Sequence, residues 1–461
     1  MTRGSAFRWN KAFVSKLLVV ALPIVVQNLL TSSVHMVDNI MIGRLGDTAY
    51  AAVQQANRYT FVFQLFLFGV TSGCSIYYSQ LWGKRDVPAM QQVMGISLMI
   101  TVGISGLFAL AATLFPRVVV SFFLVEGESF ELAVKYIRII APGYLIVSMD
   151  LAYATCMKSA QQTRIPMAAG LTGTLTNVVL NYVMIFGHFG FPAMGVEGAA
   201  YATVLASTAS LTINVIASYS LRLPSAFSLR KWKKPDGAFL RQFFRTISPV
   251  IFNEGLWGTG ITMYGVFIGR LGDAAITAMG IYNTVENLLS TAMYGVMSAC
   301  AILVGEELGK GDRDGAYLTA KRMLVLVVGL GWLIGAALLV LRWPLVSMFS
   351  ISAEAAADAV TILSLAVLFT WIQGYNAVNV VGILRAGGDT VYSMFLDVSA
   401  LWLVGVPLTG LAALVWHWPL WAVFLMTRVD EVMKLFIGTP RFLGKKWMRD
   451  MTVLRDGTEG K

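Results

Sequence analysis

Apolar segments of about 20 residues, the length that an α-helix needs to cross a bilayer, recur along almost the whole chain. We place twelve of them, beginning near Val14, Ala49, Gln91, Leu132, Ile165, Val196, Phe243, Ile276, Tyr317, Ala356, Tyr392 and Pro419. Composition agrees, because 57% of the 461 residues are hydrophobic and only 13% are charged, whereas soluble proteins carry about 25% charged residues. The sequence therefore predicts an all-α polytopic membrane protein with twelve transmembrane helices.

The distribution of basic residues predicts the orientation. If the N-terminus is cytoplasmic, about 27 of the 35 Lys and Arg residues fall in tails or inward-facing loops and about 4 in outward-facing loops, as the positive-inside rule expects. We therefore expect a multi-pass protein of the cell (inner) membrane with both termini in the cytoplasm. A basic face against anionic lipid headgroups then explains the net charge of +10, so we expect the lipid bilayer as a partner and no nucleic acid.

The chain contains an internal duplication. IGRLGD occurs at 42–47 and again at 268–273, and the match extends without a gap from Pro23 with Pro249 to Cys74 with Cys300. Each half holds six segments, and because six is even both halves cross the membrane in the same direction. This predicts two parallel repeats related by a pseudo-two-fold axis along the membrane normal, a plan used by transporters. We assign residues 1–221 to an N-lobe, 222–240 to a cytoplasmic linker, 241–440 to a C-lobe and 441–461 to a basic cytoplasmic tail.

Turn chemistry is sufficient to explain the repeated loop. Gly43 and Gly46 can end a helix in the left-handed conformation, and Asp47 is close enough in sequence to pair with Arg44. A binding role for the loop is the alternative, but such residues are used more often in turns.

The duplication does not preserve the acid in the first helix of each half. Asp38 is matched by Tyr264, and Glu254 is matched by Asn28. A packing requirement should recur at equivalent positions, whereas a binding site need not. A charged carboxylate inside a membrane helix costs about 2.5–3.5 kcal/mol on insertion scales and normally faces a cavity or a partner, so both acids are candidates for function.

Asp38 is predicted to belong to a cation or proton site. Asn177 and Asn181 are spaced i, i+4 and share one helix face, and together with Thr203 they are expected at a similar depth to Asp38. Carboxylate, amide and hydroxyl oxygens are ligands of a hard cation such as Na⁺. The alternative is a proton site, in which desolvation keeps the Asp38 carboxyl protonated near neutral pH. The competing interpretation is an interfacial residue near the helix end at Gly43.

Glu254 is the corresponding candidate in the second half. No Lys or Arg is near it in sequence, so its partner must come from another helix, from water or from a bound cation. We group Asn376 and Tyr264 with it as substrate-binding or coupling residues. Three further polar residues of the membrane segments are secondary candidates: His35, Gln27 and Asp150. His35 lies one turn before Asp38 and could tune its proton affinity, with packing as the alternative.

Two other charge patterns favour structural roles. Asp397 lies close to the cytoplasmic end of its predicted helix. The segment TRVDEVMK (427–434) carries opposite charges at i, i+3 and i, i+4 spacing, which can satisfy one another. We therefore interpret this segment as an internally paired cytoplasmic helix end.

The chain shows none of the sequence motifs of the common enzyme classes. It has no hydrolase nucleophile motif, P-loop, zinc signature or Rossmann glycine pattern. Its three cysteines lack CxxC spacing and are most simply packing residues, and its three histidines are widely spread. We expect no enzyme activity and no cofactor, so that transport would be driven by a gradient of Na⁺ or H⁺ as the coupling ion.

Several motifs together resemble the multidrug and toxic compound extrusion (MATE) transporters. They are ALPIVVQNLL followed by VDNIMIGRLG, then NVVLNYVMIFG, GVEGAAYAT and GILRAGGDT. The resemblance covers nearly the whole chain, and it implies two six-helix lobes and export of cationic amphipathic compounds in exchange for Na⁺ or H⁺ by alternating access. It also implies that Asp38, with Asn177, Asn181 and Thr203, is the cation site of the N-lobe. We expect a monomer.

The resemblance extends to Glu254, which matches an acid linked to coupling or substrate binding in many members. Two positions depart from related sequences. Asn181 stands where archaeal members carry a second carboxylate, and Asn376 stands where some bacterial members have an aspartate in the tenth helix.

Three other functions are weighed against export. A lipid-linked precursor flippase usually needs a strongly cationic cavity, and few basic residues lie inside the predicted helices: Arg58, Lys135, Arg138 and Arg428. A channel does not require paired lobes with unequal acids. A membrane-embedded enzyme should show a nucleophile or a metal constellation.

Overall fold

The computed structural model describes residues 11–123, 127–230, 232, 235–349 and 351–452, except for the side chain of His35. Each predicted membrane segment lies on a helical stretch of these residues. In chain order the stretches are α1 (Lys11–Gly43), α2 (Asp47–Gly83), α3 (Val87–Leu114), the short α4 (Pro116–Ser121), α5 (Glu128–Ser159), α6 (Arg164–Phe186), α7 (Gly195–Ser220), α8 (Gly237–Gly269), α9 (Asp273–Gly309), α10 (Arg313–Ser347), α11 (Ala353–Arg385), α12 (Thr390–Val415), α13 (Leu420–Met426) and α14 (Val429–Leu443).

Ten of these stretches are long and apolar enough to cross a membrane, by length and composition. The other two predicted segments are α8, whose middle carries Asn253 and Glu254, and the last segment, which is divided between α13 and α14 at Thr427 and Arg428. Strands are absent from the described residues. The predicted fold class, an all-α polytopic membrane protein with two six-helix repeats, is confirmed.

The repeated IGRLGD segment forms the turn between consecutive helices in both halves. Gly46 and Gly272, which precede α2 and α9, have φ angles of 101° and 114°, a region of backbone conformation that only glycine adopts at low cost. The expected pair between Asp47 and Arg44 is not among the ion pairs that the described residues form. The turn itself is therefore explained by the glycine backbone.

Contacts divide the chain into two compact units. One comprises Leu22–Arg241, and the other comprises Met1–Ala21 together with Gln242–Lys461. The predicted N-lobe instead began at residue 1. The start of α1 groups with the second unit, and Lys16 Nζ of this stretch lies 2.6 Å from Glu306 Oε2 of α9.

The first unit is organised around α5, which packs against α2, α3 and α7. Its apolar core includes Phe63, Ile137 and Tyr144. Helices α6 and α7 approach closely at two glycines. A Cβ on Gly198 would lie 2.6 Å from the carbonyl oxygen of Met184, and one on Gly173 would lie 3.0 Å from that of Ala206.

The second unit is built on α9, α10 and α11, which pack against one another. Three segments of the unit have π-helical hydrogen bonding: Val378–Arg385, Ala400–Gly405 and Leu411–Val415. Such turns are rare and occur frequently at functional sites. They lie in α11 and α12, next to the charged residues described below.

Candidate functional site

The residues predicted to surround Asp38 lie together in the first unit. Asn181 Nδ2 of α6 donates to Asp38 Oδ1 of α1 at 2.5 Å and to Asn177 Oδ1 at 3.2 Å. Asn177 Nδ2 in turn donates to Thr203 Oγ1 of α7 at 3.4 Å. These four residues, here called the Asp38 group, therefore form one hydrogen-bonded chain across three helices.

The Asp38 group contains a side-chain oxygen that accepts no hydrogen bond from the other members of the group. Asn181 is fully buried, and its Oδ1 has no hydrogen-bond partner among the described residues. Tyr136 of α5 lies close enough to interact electrostatically with Asp38. The sequence analysis missed Tyr136, because no spacing relates it to the other members. The group offers carboxylate, amide and hydroxyl oxygens, the ligand types of a hard monovalent cation, and a carboxylate that a proton can occupy.

The secondary candidates differ in their surroundings. Gln27 packs over Gly170 of α6, and its buried Oε1 has no hydrogen-bond partner among the described atoms. Asp150 of α5 is hydrogen-bonded to Ser210 and Asn214 of α7 and is separate from the Asp38 group. The side chain of His35 lies outside the described residues, so its predicted influence on Asp38 stays a prediction.

Glu254 forms a buried ion pair in the second unit. Arg385 Nη1 of α11 lies 2.7 Å from Glu254 Oε1 of α8, and the two side chains are only 2% and 9% exposed. Of the partners that the sequence analysis left open, a residue of another helix is the one observed. The acid therefore faces a fixed positive charge, which makes its surroundings unlike those of Asp38.

A second buried charge cluster lies beside this pair. Lys434 Nζ of α14 is 2.9 Å from Asp397 Oδ1 of α12, 3.0 Å from Asp430 Oδ2 and 3.1 Å from Glu431 Oε1. We call these four residues the Lys434 cluster. Asn253, the neighbour of Glu254, donates to Asp397 at 3.0 Å. Three carboxylates thus share one ammonium group, so the cluster is two negative charges in excess when all four groups are ionised.

The pairing expected within 427–434 is confirmed for Lys434 with Asp430 and Glu431, but it is incomplete, and the cytoplasmic location of the segment stays a prediction. Lys434 also pairs with Asp397, and its side chain is 3% exposed. Arg428 stands at the start of α14 and lies 3.8 Å from Glu286 of α9, outside the segment. The segment covers the start of α14, and its buried charges find partners on other helices, as buried ionisable groups normally do.

The two other residues predicted for this half lie at the edge of the Lys434 cluster. Asn376 Nδ2 donates to both the carbonyl oxygen and Oε2 of Glu431 at 2.7 Å. Tyr264 is 7% exposed, and its hydroxyl has no hydrogen-bond partner among the described residues. A Cβ on Gly405 would collide with that hydroxyl and lie 3.2 Å from Asp430 Cβ. Glu254, Asn376 and Tyr264 are therefore neighbours of one charged network and are not bonded to one another.

Arg385 and Lys434 were not predicted as site residues from the sequence. A signal for Arg385 was present, because the alignment of MKSAQQT with LRAGGDT puts Lys158 opposite Arg385, which marks a basic position in both halves. For Lys434 the only local signal was its spacing from Asp430, which suggested a surface pair. Within the described part of the chain, no group of three or more His, Cys, Asp and Glu side chains is arranged to hold a metal ion.

Comparison with known proteins gives a consistent result. The MatE family model matches residues 23–183 and 249–411, which are corresponding stretches of the two halves. The probable multidrug resistance protein NorM of Thermotoga maritima is 24% identical over 444 residues, covering 96% of this chain and 94% of the relative. The multidrug resistance protein MdtK of Edwardsiella ictaluri is 25% identical over 414 residues, 88% of each chain. The solved structure of a variant of the Vibrio cholerae MATE transporter VcmN matches with a TM-score of 0.87 at 16% identity, covering 95% of this chain and 98% of that one.

Proposed function

The chain belongs to the MatE family of membrane transporters, and from that premise we propose that it exports cationic amphipathic compounds in exchange for Na⁺ or H⁺. Export proceeds by alternating access, in a monomer of the inner membrane with both termini in the cytoplasm. The names of the NorM and MdtK relatives support a multidrug range. No cofactor other than the coupling ion is required.

The observation that carries this proposal is the Asp38 group. A carboxylate in a membrane helix is bonded to an amide at 2.5 Å, and that amide keeps a buried oxygen without a partner. In this proposal the coupling ion binds at Asp38, with Asn177, Asn181 and Thr203 as companions. Linkage then requires that ion binding lower the affinity for the exported compound as much as the compound lowers the affinity for the ion.

The second unit is proposed to attract the positively charged substrate. Glu254, Asn376 and Tyr264 are the residues assigned to this role, and the carboxylate excess of the Lys434 cluster supports it, because buried negative charge favours a cation. The flippase alternative is less consistent with these contacts. Arg385 and Lys434, two buried basic residues of this unit, already face carboxylates at 2.7–3.1 Å.

Efflux of ethidium from proteoliposomes, under an imposed Na⁺ gradient and separately under a pH gradient, tests the proposal. Wild type is compared with Asp38→Asn and with the control Asp47→Asn, an exposed acid just beyond the same helix end. We expect Asp38→Asn to insert normally and lose gradient-driven efflux, while Asp47→Asn keeps it. Full efflux in Asp38→Asn would remove Asp38 from the mechanism, and no efflux by properly inserted wild type under either gradient would reject cation export.

A further inference from the structure

Asp150 forms a second carboxylate–amide pair in the unit that holds Asp38. Asn214 Nδ2 donates to Asp150 Oδ1 at 2.7 Å, and the Ser210 hydroxyl donates to Oδ2 at 2.9 Å. Asn214 is 1% exposed and Ser210 7%. Both partners are neutral, and Lys158, two turns further along α5, acts on Asp150 only through its electrostatic field. Asp150 itself is half-buried. Desolvation disfavours its ionised form and the two donors favour it, a balance that suits a group that changes protonation state.

The side-chain amide of Asn214 can hydrogen-bond to Asp150 in either protonation state of the carboxyl group. Asn214 Oδ1 is buried and has no hydrogen-bond partner among the described residues. An asparagine carries donors on one side of its amide and an acceptor on the other. Its Nδ2 therefore bonds to the ionised carboxylate, and after rotation of the amide its Oδ1 accepts from the protonated carboxyl. Asn181, whose Oδ1 is also left over, stands in the same relation to Asp38.

The two pairs lie along one face of α7. Thr203 of the Asp38 group, Ser210 and Asn214 are spaced i, i+7 and i+11, which places them on the same side of a helix. Thr203 and Ser210 are separated by about 10.5 Å of helix rise. Close packing of α6 supports this face, because a Cβ on Gly173 would lie 3.2 Å from Ser210 Cβ. Beyond Asn214, the same face continues to Ser218, which lies 2.7 Å from Ser225 of the following loop.

Among the described residues, the charge that acts on Asp150 is that of Lys158, which lies on α5 itself and not on a helix packed against it. Helix α3 carries no acidic or basic residue over its length. Cys74 and Tyr78 of α2 interact electrostatically with Cys156, and neither is among the groups that act on Asp150. From α7, Tyr219 bonds to Tyr153 at 3.2 Å. The surroundings of Asp150 therefore depend on Ser210, Asn214 and the more distant Lys158.

We infer that Asp150 is a second exchangeable proton site, in series with Asp38. A proton leaving the Asp38 carboxyl leaves a carboxylate there and converts the Asp150 carboxylate to the acid. Asp150 then releases the proton toward Ser218 and returns to the carboxylate. The role in transport rests on the proposed function, whereas the protonation of Asp150 does not.

Infrared spectroscopy of the purified, reconstituted protein tests the protonation directly. The carboxyl stretching band of protonated aspartic acid is followed through a pH titration in wild type, Asp150→Asn and Asp38→Asn. We expect Asp150→Asn to remove one titrating component, and Asp38→Asn to leave that component in place. An unchanged carboxyl band in Asp150→Asn would show that Asp150 keeps one charge state, and would overturn the inference.

Transport measurements test the serial arrangement. Under a pH gradient we expect Asp150→Asn to slow ethidium efflux by about tenfold or more, within the usual range of coupling energies, with ethidium binding to the solubilised protein unchanged and efflux restored by Asp150→Glu. Efflux at the wild-type rate in Asp150→Asn would remove Asp150 from the proton route. If wild type shows no gradient-driven efflux at all, the proposed function fails while the infrared titration still decides the protonation of Asp150.

A second variant covers the case in which Asp150→Asn does not fold. Asn214→Ala keeps the carboxylate and removes the amide, so we expect the midpoint of the titrating carboxyl component to move. The matched control is Thr208→Ala, an exposed hydroxyl of the same helix that bonds only to the backbone of Val204. Equal titrations of Asn214→Ala and Thr208→Ala would contradict the pairing.

Discussion

Arg385 Nη1 lies 2.7 Å from Glu254 Oε1, and both side chains are buried. The two residues are 131 positions apart in sequence and come from α11 and α8. Arg385 ends the π-helical segment Val378–Arg385. The acid that the sequence marks by its mismatch between the halves thus faces a fixed base, so any role in coupling or substrate binding must work against that charge.

Neutralising only the acid of this pair should destabilise the protein strongly. Glu254→Gln leaves the guanidinium of Arg385 in a buried site without the carboxylate that faces it, which costs about 3–5 kcal/mol for pairs of this kind. The double variant Glu254→Gln/Arg385→Met removes both charges and should recover most of the loss. Thermal unfolding in detergent, followed by tryptophan fluorescence, measures both effects. Additive losses in the double variant would show that the two residues stabilise the fold independently.

The Lys434 cluster should respond asymmetrically to removal of its base and of one acid. Lys434→Met leaves three carboxylates without their shared ammonium, and we expect a loss of about 3–5 kcal/mol. Asp430→Asn removes one of the two excess negative charges of the Lys434 cluster. Because Asp430 Oδ1 has no hydrogen-bond partner among the described residues, we expect that variant to be as stable as wild type or more stable. Chemical unfolding in detergent compares the two, and similar losses in both would mean that all three acids are needed to balance Lys434.

The helices and the Asp38 group could be predicted because both follow from distances along helices. Apolar segments of membrane length define the stretches, and i, i+4 spacing puts Asn177 and Asn181 on one face. Counting residues from the helix ends then gives the depth of Asp38 and Thr203. Helices α6 and α7 follow each other in sequence and are joined by a short turn, so they were expected to be neighbours. A similar depth in the membrane was then enough to predict that Asn177 and Asn181 lie near Thr203.

The charged network of the second unit could not be predicted in the same way. Its contacts depend on how α8, α11, α12 and α14 are arranged laterally, and spacing within one helix does not contain that information. The break between α13 and α14 puts 427–434 at the start of α14, where its charges face other helices. Local spacing found the bonds of Lys434 to Asp430 and Glu431 and missed the bond to Asp397.

Tyr264 and Gly405 are expected to be coupled by a steric conflict. Gly405→Ala puts a methyl group against the Tyr264 hydroxyl, and overpacking of this kind costs about 1–3 kcal/mol. Tyr264→Phe removes the hydroxyl, which has no hydrogen-bond partner among the described residues, so this variant alone should not lose stability. The double variant should therefore be more stable than Gly405→Ala. A thermal shift assay on the three variants measures the coupling, and no rescue by Tyr264→Phe would show that the added methyl strains the backbone instead.

The glycines of the first unit allow a matched test of helix packing. Gly198→Ala would place a Cβ 2.6 Å from the backbone oxygen of Met184, and because backbone cannot move aside as a flexible side chain can, α6 and α7 must separate. We expect a loss of about 1–3 kcal/mol, together with weaker gradient-driven ethidium efflux, since Asn181 and Thr203 lie on these two helices. Gly106→Ala in α3 is the control, because a Cβ there meets nothing within 4 Å and alanine favours a helix over glycine by about 1 kcal/mol. Unfolding temperature and efflux are compared for both variants. Equal stability of the two would show that the separation between α6 and α7 tolerates a methyl group, and normal efflux in a destabilised Gly198→Ala would show that the Asp38 group does not depend on that separation.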